Sequence, residues 1–183
     1  FRLNIREAIR CSYGDCQIES RRGKAFGTYT ADISPWIIGW IIGREVAPFE
    51  IKGTNEFYTE GSYDGDIFSI DDATPSEVWV ARQLNYTVTF EREQYGNERP
   101  VSFSSWPTLD PLNHPTESSE YSEEDDVELD FAKIEEVDAP AGQFATFHAY
   151  PYYPNFVVEE PDYREHSDTY GPNSYLGYLF DFQ

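Results

Sequence analysis

The stretch that decides the fold runs from Trp36 to Gly43 and reads Trp-Ile-Ile-Gly-Trp-Ile-Ile-Gly. It is a short apolar run rich in β-branched side chains, and residues 32–35 before it have the composition of a turn or cap. Such a run is typical of a strand that is covered on both faces, and strands of this kind are mostly parallel. We therefore predict a buried strand in a parallel sheet.

Two later apolar segments predict further strands, over residues 99–106 and 142–150. A helix is predicted between the first two strands. It opens on the capping box Thr74-Pro75-Ser76-Glu77, with Pro at the first helical position, and ends at Tyr95-Gly96. A strand, a helix and a strand in this order predict the βαβ unit of a parallel sheet.

Helices are also predicted near both ends of the chain. Apolar residues recur at helical spacing over residues 1–10, and a last helix opens near Asn173. The Gly- and Arg-rich residues 20–27 predict a surface loop. Because the chain begins at Phe1 without an initiator Met and ends at Gln183 within the last helix, we expect a fragment of a longer protein.

The charge balance excludes several classes of protein. The chain has 13 Lys+Arg against 34 Asp+Glu, a formal net charge of -21, and 39% apolar residues, of which many are aromatic. Such a chain folds but repels phosphate backbones and anionic lipids, so we expect no nucleic-acid partner. No apolar run approaches the roughly 20 residues that span a bilayer, so we expect no membrane-spanning segment.

Two interpretations of the acidic surface stay open. Arginine outnumbers lysine, which occurs only at Lys24, Lys52 and Lys133. Acid-rich, lysine-poor surfaces keep proteins soluble in concentrated salt, so one interpretation is a salt-loving source. The other is an ordinary acidic protein with its charge mostly in one loop. An extracellular or cell-surface location is compatible with the sequence.

The strongest acidic run spans residues 117–130. It lacks the ordered Asp spacing and Gly of a calcium loop, so we predict a solvated acidic loop insertion at about residues 112–142.

Metal and cofactor motifs are missing. His114, His148 and His166 are not paired at metal-ligand spacing, and we expect no metal site. The chain contains no GxSxG, Walker or GxGxxG pattern, so no cofactor is expected. Cys11 and Cys16 are predicted to be either two free thiols or one small local disulfide.

Polar and aromatic residues follow each of the three predicted strands. Because the carboxyl ends of parallel strands share one edge of a sheet, and active sites lie there, we predict that these residues form the site. They are Arg44 and Glu45 after the first strand, Trp106 and Asp110 after the second, and His148, Tyr150, Tyr152 and Tyr153 on or after the third.

The first of these strands resembles a family signature. Residues Ile37-Ile38-Gly39-Trp40-Ile41-Ile42-Gly43-Arg44-Glu45, with Pro35 before them, resemble the fourth-strand region of retaining glycoside hydrolases with a (β/α)8 barrel. That clan includes β-galactosidases, β-mannanases and cellulases. Residues 99–111 and 147–154 resemble the fifth- and sixth-strand regions of bacterial proteins assigned to the same barrel group. The resemblance covers most of the chain.

The resemblance implies an α/β fold, a partial TIM (β/α)8 barrel in which residues 1–183 supply parallel strands four to six with their flanking helices. It implies a glycosidase with Glu45 as general acid/base and a nucleophile after strand seven, beyond Gln183, so that the fragment alone is inactive. Arg44 stands where the clan has the Asn that bonds the sugar 2-hydroxyl. His148 or Tyr150 would bond the nucleophile.

A retaining mechanism needs two carboxyl groups roughly 5 Å apart. We expect burial and a neighbouring like charge to raise the pKa of Glu45, and Arg44 to point away from it or contact substrate. The rings of Trp106, Tyr150, Tyr152 and Tyr153 suit stacking on a sugar, so a carbohydrate substrate is predicted. Glu56, in the dipeptide Asn55-Glu56, ranks below Glu45 because it follows a polar loop.

Two other functions remain open from the sequence. The first is a non-catalytic carbohydrate-binding or scaffold barrel that kept the aromatic cleft but lost the acid/base geometry. The second is a different parallel α/β enzyme, since a fold does not fix a function. An open half-barrel is also expected to expose strand edges and apolar faces and to be unstable alone.

Overall fold

The computed structural model of the chain describes residues 1–117 and 127–183. The fold is mixed α/β. Its helices are α1 (Arg2–Ser12), α2 (Pro48–Phe57), α3 (Pro75–Tyr95), α4 (Phe156–Glu159), α5 (Pro161–Arg164) and α6 (Ser174–Phe182). Its strands are β1 (Cys16–Ile18), β2 (Gly27–Tyr29), β3 (Trp40–Gly43), β4 (Tyr63–Asp64), β5 (Phe68–Ile70), β6 (Val101–Ser105), β7 (Glu135–Glu136), β8 (Thr146–Phe147), β9 (Ser167–Asp168) and β10 (Gly171–Pro172).

A three-stranded parallel sheet in the order β3-β6-β8 holds the three predicted apolar segments side by side. Trp40 lies opposite Val101, and Ser104 lies opposite Thr146. The prediction that these segments run in a single direction is confirmed. The sheet stays open over the described ranges, where no closed barrel forms.

Helix α3 is the last element of the connection from β3 to β6, after α2, β4 and β5, and it packs on one face of the sheet. Its capping box is formed as predicted: the Thr74 hydroxyl accepts from the Glu77 N–H, and the Glu77 carboxylate accepts from the Thr74 N–H. The helix ends at Gly96, whose φ of 63° is the left-handed conformation that favours glycine. The buried apolar side chains of this helix include Val78, Ala81, Leu84 and Val88.

Strand β6 is buried along its whole length and has one apolar face and one polar face. Side chains alternate along a strand, so Val101 and Phe103 lie on one face, with Phe103 meeting the Trp79 ring of α3. Ser102 and Ser104 lie on the other face. Ser102 Oγ bonds Thr146 Oγ1 at 2.8 Å, which ties β6 to β8.

The first strand departs from its prediction in length and burial. Residues Ser34–Trp36 form a 3-10 turn that contains Pro35, so only Trp40–Gly43 of the apolar run pairs as a strand. The prediction that both of its faces are covered is wrong. Ile42 is buried but Ile41 is 59% exposed, because β3 is an edge strand and the helices cover one face only. An open sheet was expected to expose apolar surface, and Ile41 does so on the face that it shares with Ser102 of β6.

The third strand is also shorter than predicted. Of residues 142–150, only Thr146–Phe147 form a strand, with a separate bridge from Gln143 to Val101. Gly142 has a φ of 76°, which turns the chain at the start of this segment. The terminal helices are confirmed, and the Asn173 side chain caps α6 by accepting from the Leu176 N–H.

Short antiparallel pieces surround the parallel sheet. Strands β4, β5 and β7 form one sheet, while β1 with β2 and β9 with β10 form hairpins. Part of the predicted acidic loop is packed, because Leu129 and Ile134 lie in the core and β7 pairs with β5. Residues 118–126, the most acidic part of that prediction, lie outside the described residues.

The two cysteines are free thiols, the first of the two states that the sequence left open. Burial, together with the hydrogen bond to Cys16, raises the pKa of the Cys11 thiol to about 12. Among the helices that the structure describes, none combines the length and the apolar character needed to cross a bilayer.

A buried ion pair joins α3 to the starts of two parallel strands. Glu91 on α3 is 0% exposed, and Arg99, just before β6, is 8% exposed. Their side chains form a salt bridge. The Arg99 guanidinium also donates to the backbone carbonyls of Ser34 at 2.6 Å and Ile37 at 2.8 Å. Glu91 in turn accepts from the Trp40 indole N–H at 2.8 Å. Arg99 and Glu91 therefore fix where β3 begins relative to β6.

We predict that Glu91→Gln strongly destabilises the fold, because it keeps the side-chain shape but leaves the buried Arg99 charge without its counter-ion. The free energy of unfolding should fall by about 3–5 kcal/mol, measured by urea denaturation. Glu93→Gln is the matched control on the same helix, since Glu93 is exposed and should change stability by about 0.5 kcal/mol or less. Equal stability of the two variants would contradict this role of the ion pair.

Candidate active site

The carboxyl ends of the parallel strands bring four sequence-predicted residues to one edge of the sheet. Glu45 follows β3 by two residues, Trp106 directly follows β6, and His148 directly follows β8 with Tyr150 two residues later. The parallel register places these strand ends next to one another. The site therefore forms from residues that are distant in sequence.

The Glu45 carboxylate is the centre of this group. Its Oε1 accepts a hydrogen bond from the Tyr150 hydroxyl and lies 3.0 Å from His148 Nδ1. The Glu45 side chain is 34% exposed, so it is neither buried nor turned fully into solvent. One carboxylate oxygen is thus held by two side chains while the group stays accessible.

His148 links Glu45 to the sheet. Its Nε2 lies 3.0 Å from Ser104 Oγ, so the ring bridges a strand residue and the carboxylate. A neutral imidazole with its hydrogen on Nδ1 donates to Glu45 and accepts from the Ser104 hydroxyl, while a protonated ring donates on both sides. In either state the ring orients the carboxylate.

The pKa of Glu45 is lowered from its ordinary value, which contradicts the expectation of a raised one. The hydrogen bond from Tyr150 is the main cause, and that from His148 adds to it, whereas desolvation acts in the opposite direction. The same bond raises the pKa of Tyr150, because it favours the protonated phenol. The site as it stands favours an ionised Glu45.

Arg44 is directed toward α2. Its guanidinium lies 2.8 Å from Glu50 Oε1 and donates to the backbone carbonyl of Glu45 at 2.7 Å. Its ion-pair partner is therefore Glu50, in agreement with the expectation that Arg44 points away from the Glu45 carboxylate.

Three of the predicted aromatic residues form a continuous surface beside Glu45. The Trp106 ring lies 5.8 Å from that of Tyr153, and the Tyr153 ring lies 6.4 Å from that of Tyr150. The Trp106 indole N–H donates to the Val46 carbonyl at 2.9 Å, which fixes the ring next to the end of β3. Tyr152 follows Tyr150 in the chain but is largely exposed.

The structure places Asp110 in a different cluster. This carboxylate is buried and accepts from the Tyr178 hydroxyl at 2.7 Å and from the Leu112 N–H at 2.9 Å. Tyr178 packs there with Phe156 and Tyr163. Asp110 thus ties the loop after β6 to α6.

The lower-ranked acid Glu56 lies exposed on α2, and its neighbour Asn55 accepts from the Ser76 N–H at the start of α3. His114 and His166 line a separate cavity of about 510 Å³ near α5 and α6. Within residues 1–117 and 127–183, no group of three His, Cys, Asp or Glu side chains is arranged to hold a metal ion.

Sequence reasoning missed Ser104, which completes the chain of contacts from β6 through His148 to Glu45. A signal for it was present, because Ser102 and Ser104 alternate with Val101 and Phe103. That alternation marks a polar face on an otherwise apolar strand.

Comparison of the chain with protein-family models, with curated proteins and with solved structures finds no match. The geometry of Glu45, His148 and Tyr150, with the aromatic residues around them, is what indicates a function for this chain.

We predict that Tyr150→Phe raises the pKa of Glu45 toward its ordinary value of 4.5, because the variant lacks the hydroxyl that stabilises the ionised form. An NMR titration of the Glu45 carboxyl carbon measures this pKa. Tyr152→Phe is the control, since it removes the hydroxyl of an exposed neighbour. No rise in Tyr150→Phe, or the same rise in both variants, would contradict the assigned cause.

The same pKa shift predicts how the effect on stability depends on pH. The folded-state pKa of Glu45 lies below its unfolded value, so the bond stabilises the fold above the unfolded-state pKa. This stabilisation is lost as the pH falls through the folded-state pKa. The stability difference between Tyr150→Phe and the unchanged protein should therefore disappear at acidic pH.

Proposed function

We propose that this chain contributes the acid/base half of a retaining glycoside hydrolase site, with Glu45 as the acid/base. The observation that carries the proposal is the Glu45 carboxylate held by Tyr150 and His148 at the carboxyl edge of a parallel sheet. An accessible carboxylate on a rigid edge, next to aromatic rings, suits the cleavage of a bond to a sugar.

The partial (β/α)8 barrel belongs to the same proposal. Strands β3, β6 and β8 would be strands four to six of the barrel, with α3 as one of its outer helices. The free edge of β3, the exposed Ile41 on it and the exposed Ile38 just before it support this proposal, because further strands would cover them.

Cleavage would proceed in two balanced steps. In the first, protonated Glu45 gives its proton to the glycosidic oxygen while a second carboxylate bonds the anomeric carbon and the alcohol leaves. In the second, ionised Glu45 takes a proton from water as the water oxygen bonds the anomeric carbon and displaces that carboxylate. Glu45 ends protonated, ready for the next cycle.

The lowered pKa of Glu45 suits the second step, in which the group must be ionised. For the first step, a second ionised carboxylate roughly 5 Å away would raise the pKa of Glu45 by charge repulsion. That repulsion ends when the second carboxylate becomes an ester in the intermediate. Tyr150 and His148 would then favour the ionised base.

The neighbouring residues would position the group and the substrate. Ser104 and His148 would hold the Glu45 carboxylate in one orientation. The Trp106 and Tyr153 rings would stack on the apolar face of a pyranose, with hydroxyl groups left to bond polar atoms at the edge.

We predict that Glu45→Gln affects hydrolysis according to the leaving group of the substrate. In the full-length protein, kcat/KM for a phenyl or alkyl glycoside should fall by about 10²–10⁴, because its leaving oxygen requires a proton. A 2,4-dinitrophenyl glycoside needs no such proton, so its first step should be largely spared and the release of phenolate should show a burst.

Glu56→Gln is the matched control, with the same chemical change at an exposed glutamate, and should leave both rates unchanged. Unchanged hydrolysis in Glu45→Gln would exclude this residue. An equal loss with both leaving groups would contradict the acid/base role.

A second candidate function is sugar binding without cleavage. The lowered pKa of Glu45 favours it, since an ionised carboxylate is a good acceptor for sugar hydroxyls. Calorimetric binding of an oligosaccharide by the full-length protein, lost in Glu45→Gln and accompanied by no release of reducing ends, would favour this function over hydrolysis.

A further inference from the structure

A cavity of about 520 Å³ lies beside the candidate active site, among the end of β3, α2 and α3. Arg44 and Val46 both line it, while Glu45 between them directs its carboxylate to His148 and Tyr150. The cavity is therefore separate from the Glu45 group. Its volume falls within the range of about 300–1,000 Å³ found for small-molecule sites.

The base of this cavity is apolar and well packed. It consists of four core side chains that are at most 7% exposed, from α2, α3, β6 and the last part of the acidic run. They are Ile51, Val80, Phe103 and Leu129. A ligand that enters the cavity therefore meets a rigid apolar surface.

The walls of the cavity carry partly exposed aromatic rings. The Trp79 ring centroid lies 4.8 Å from the Phe1 ring centroid and 6.0 Å from the Phe103 ring centroid. Both contacts are edge-to-face. Tyr58, at the end of α2, adds a second exposed ring. Within the described ranges the Trp79 indole N–H has no hydrogen-bond acceptor, and Trp79 is 38% exposed.

The charged side chains at the cavity form two opposite-sign pairs. Arg44 lies 2.8 Å from Glu50, and Arg82 lies 3.7 Å from Glu60. All four line the cavity, where two positive and two negative groups cancel. In a chain of net charge -21, this neutral rim offers both donors and acceptors without attracting an ion of either sign.

We propose that this cavity binds a neutral saccharide unit. A pyranose has an apolar face that stacks on aromatic rings and a rim of hydroxyls that both donate and accept. The Trp79 and Tyr58 rings and the two ion pairs, which line the same cavity, match these two features. An ionic ligand would leave half of the rim unpaired, and a wholly apolar ligand would desolvate it without compensation. The site goes beyond the proposed function and does not depend on Glu45.

The test is a ¹H–¹⁵N NMR titration of the full chain with β-1,4-linked glucotetraose and mannotetraose at millimolar concentration. We expect the amide signals of residues lining the cavity to shift with at least one of the two. Tyr58→Ala removes an exposed wall ring and should weaken binding about tenfold. Tyr170→Ala is the control, because Tyr170 is fully exposed in the β9–β10 hairpin.

If the cavity proposal is correct, the Glu45→Gln variant still binds the tetrasaccharide at the cavity. This result separates the cavity proposal from the active-site proposal. Shifts confined to His148, Tyr150 and their neighbours would overturn the cavity proposal and leave the active-site proposal standing. No shift at the cavity with either sugar, or equal binding by Tyr58→Ala and Tyr170→Ala, would also overturn it. Tighter binding of free indole than of either tetrasaccharide would overturn the cavity proposal as well.

Discussion

The buried pair of Glu91 and Arg99 is the constraint on which the rest of the structure depends. A guanidinium removed from water needs a counter-charge and acceptors for its N–H groups, and Glu91 and the carbonyls of Ser34 and Ile37 supply them. These contacts join helix α3, the approach to β3 and the start of β6. The parallel register of two short strands thus rests on one charged network as well as on their backbone hydrogen bonds.

The candidate site inherits its geometry from that register. Because the first residues of β3 and β6 lie opposite each other, Glu45 and Trp106 lie at the same edge of the sheet. His148 and Tyr150, which follow β8, lie at that edge too. Two donors then hold one carboxylate oxygen and lower the pKa of Glu45. The two hydrogen bonds that orient the Glu45 carboxylate therefore also favour its ionised form. In the proposed mechanism, the second step requires ionised Glu45.

Local patterns predicted the parts of the fold that local interactions determine. The capping box at Thr74, the stop at Gly96 and the three apolar segments all follow from short-range chemistry. Contacts between distant residues were not predictable in this way. The partnership of Glu91 with Arg99, the burial of Asp110 against Tyr178 and the pairing of β7 with β5 depend on where the chain returns in space. Sequence also misjudged the pKa of Glu45, because the bond from Tyr150 outweighs desolvation.

The most direct measurement of the central claim is the stereochemistry of azide transfer by the Glu45→Ala variant of a protein that carries both proposed carboxylates. Loss of an acid/base leaves the covalent intermediate short of a base to activate water, and azide needs no such activation. With an activated aryl glycoside, added azide should restore turnover and give a glycosyl azide of the same anomeric configuration as the substrate. A glycosyl azide of inverted configuration, or no effect of azide on an inactive variant, would contradict the proposal that Glu45 is the acid/base.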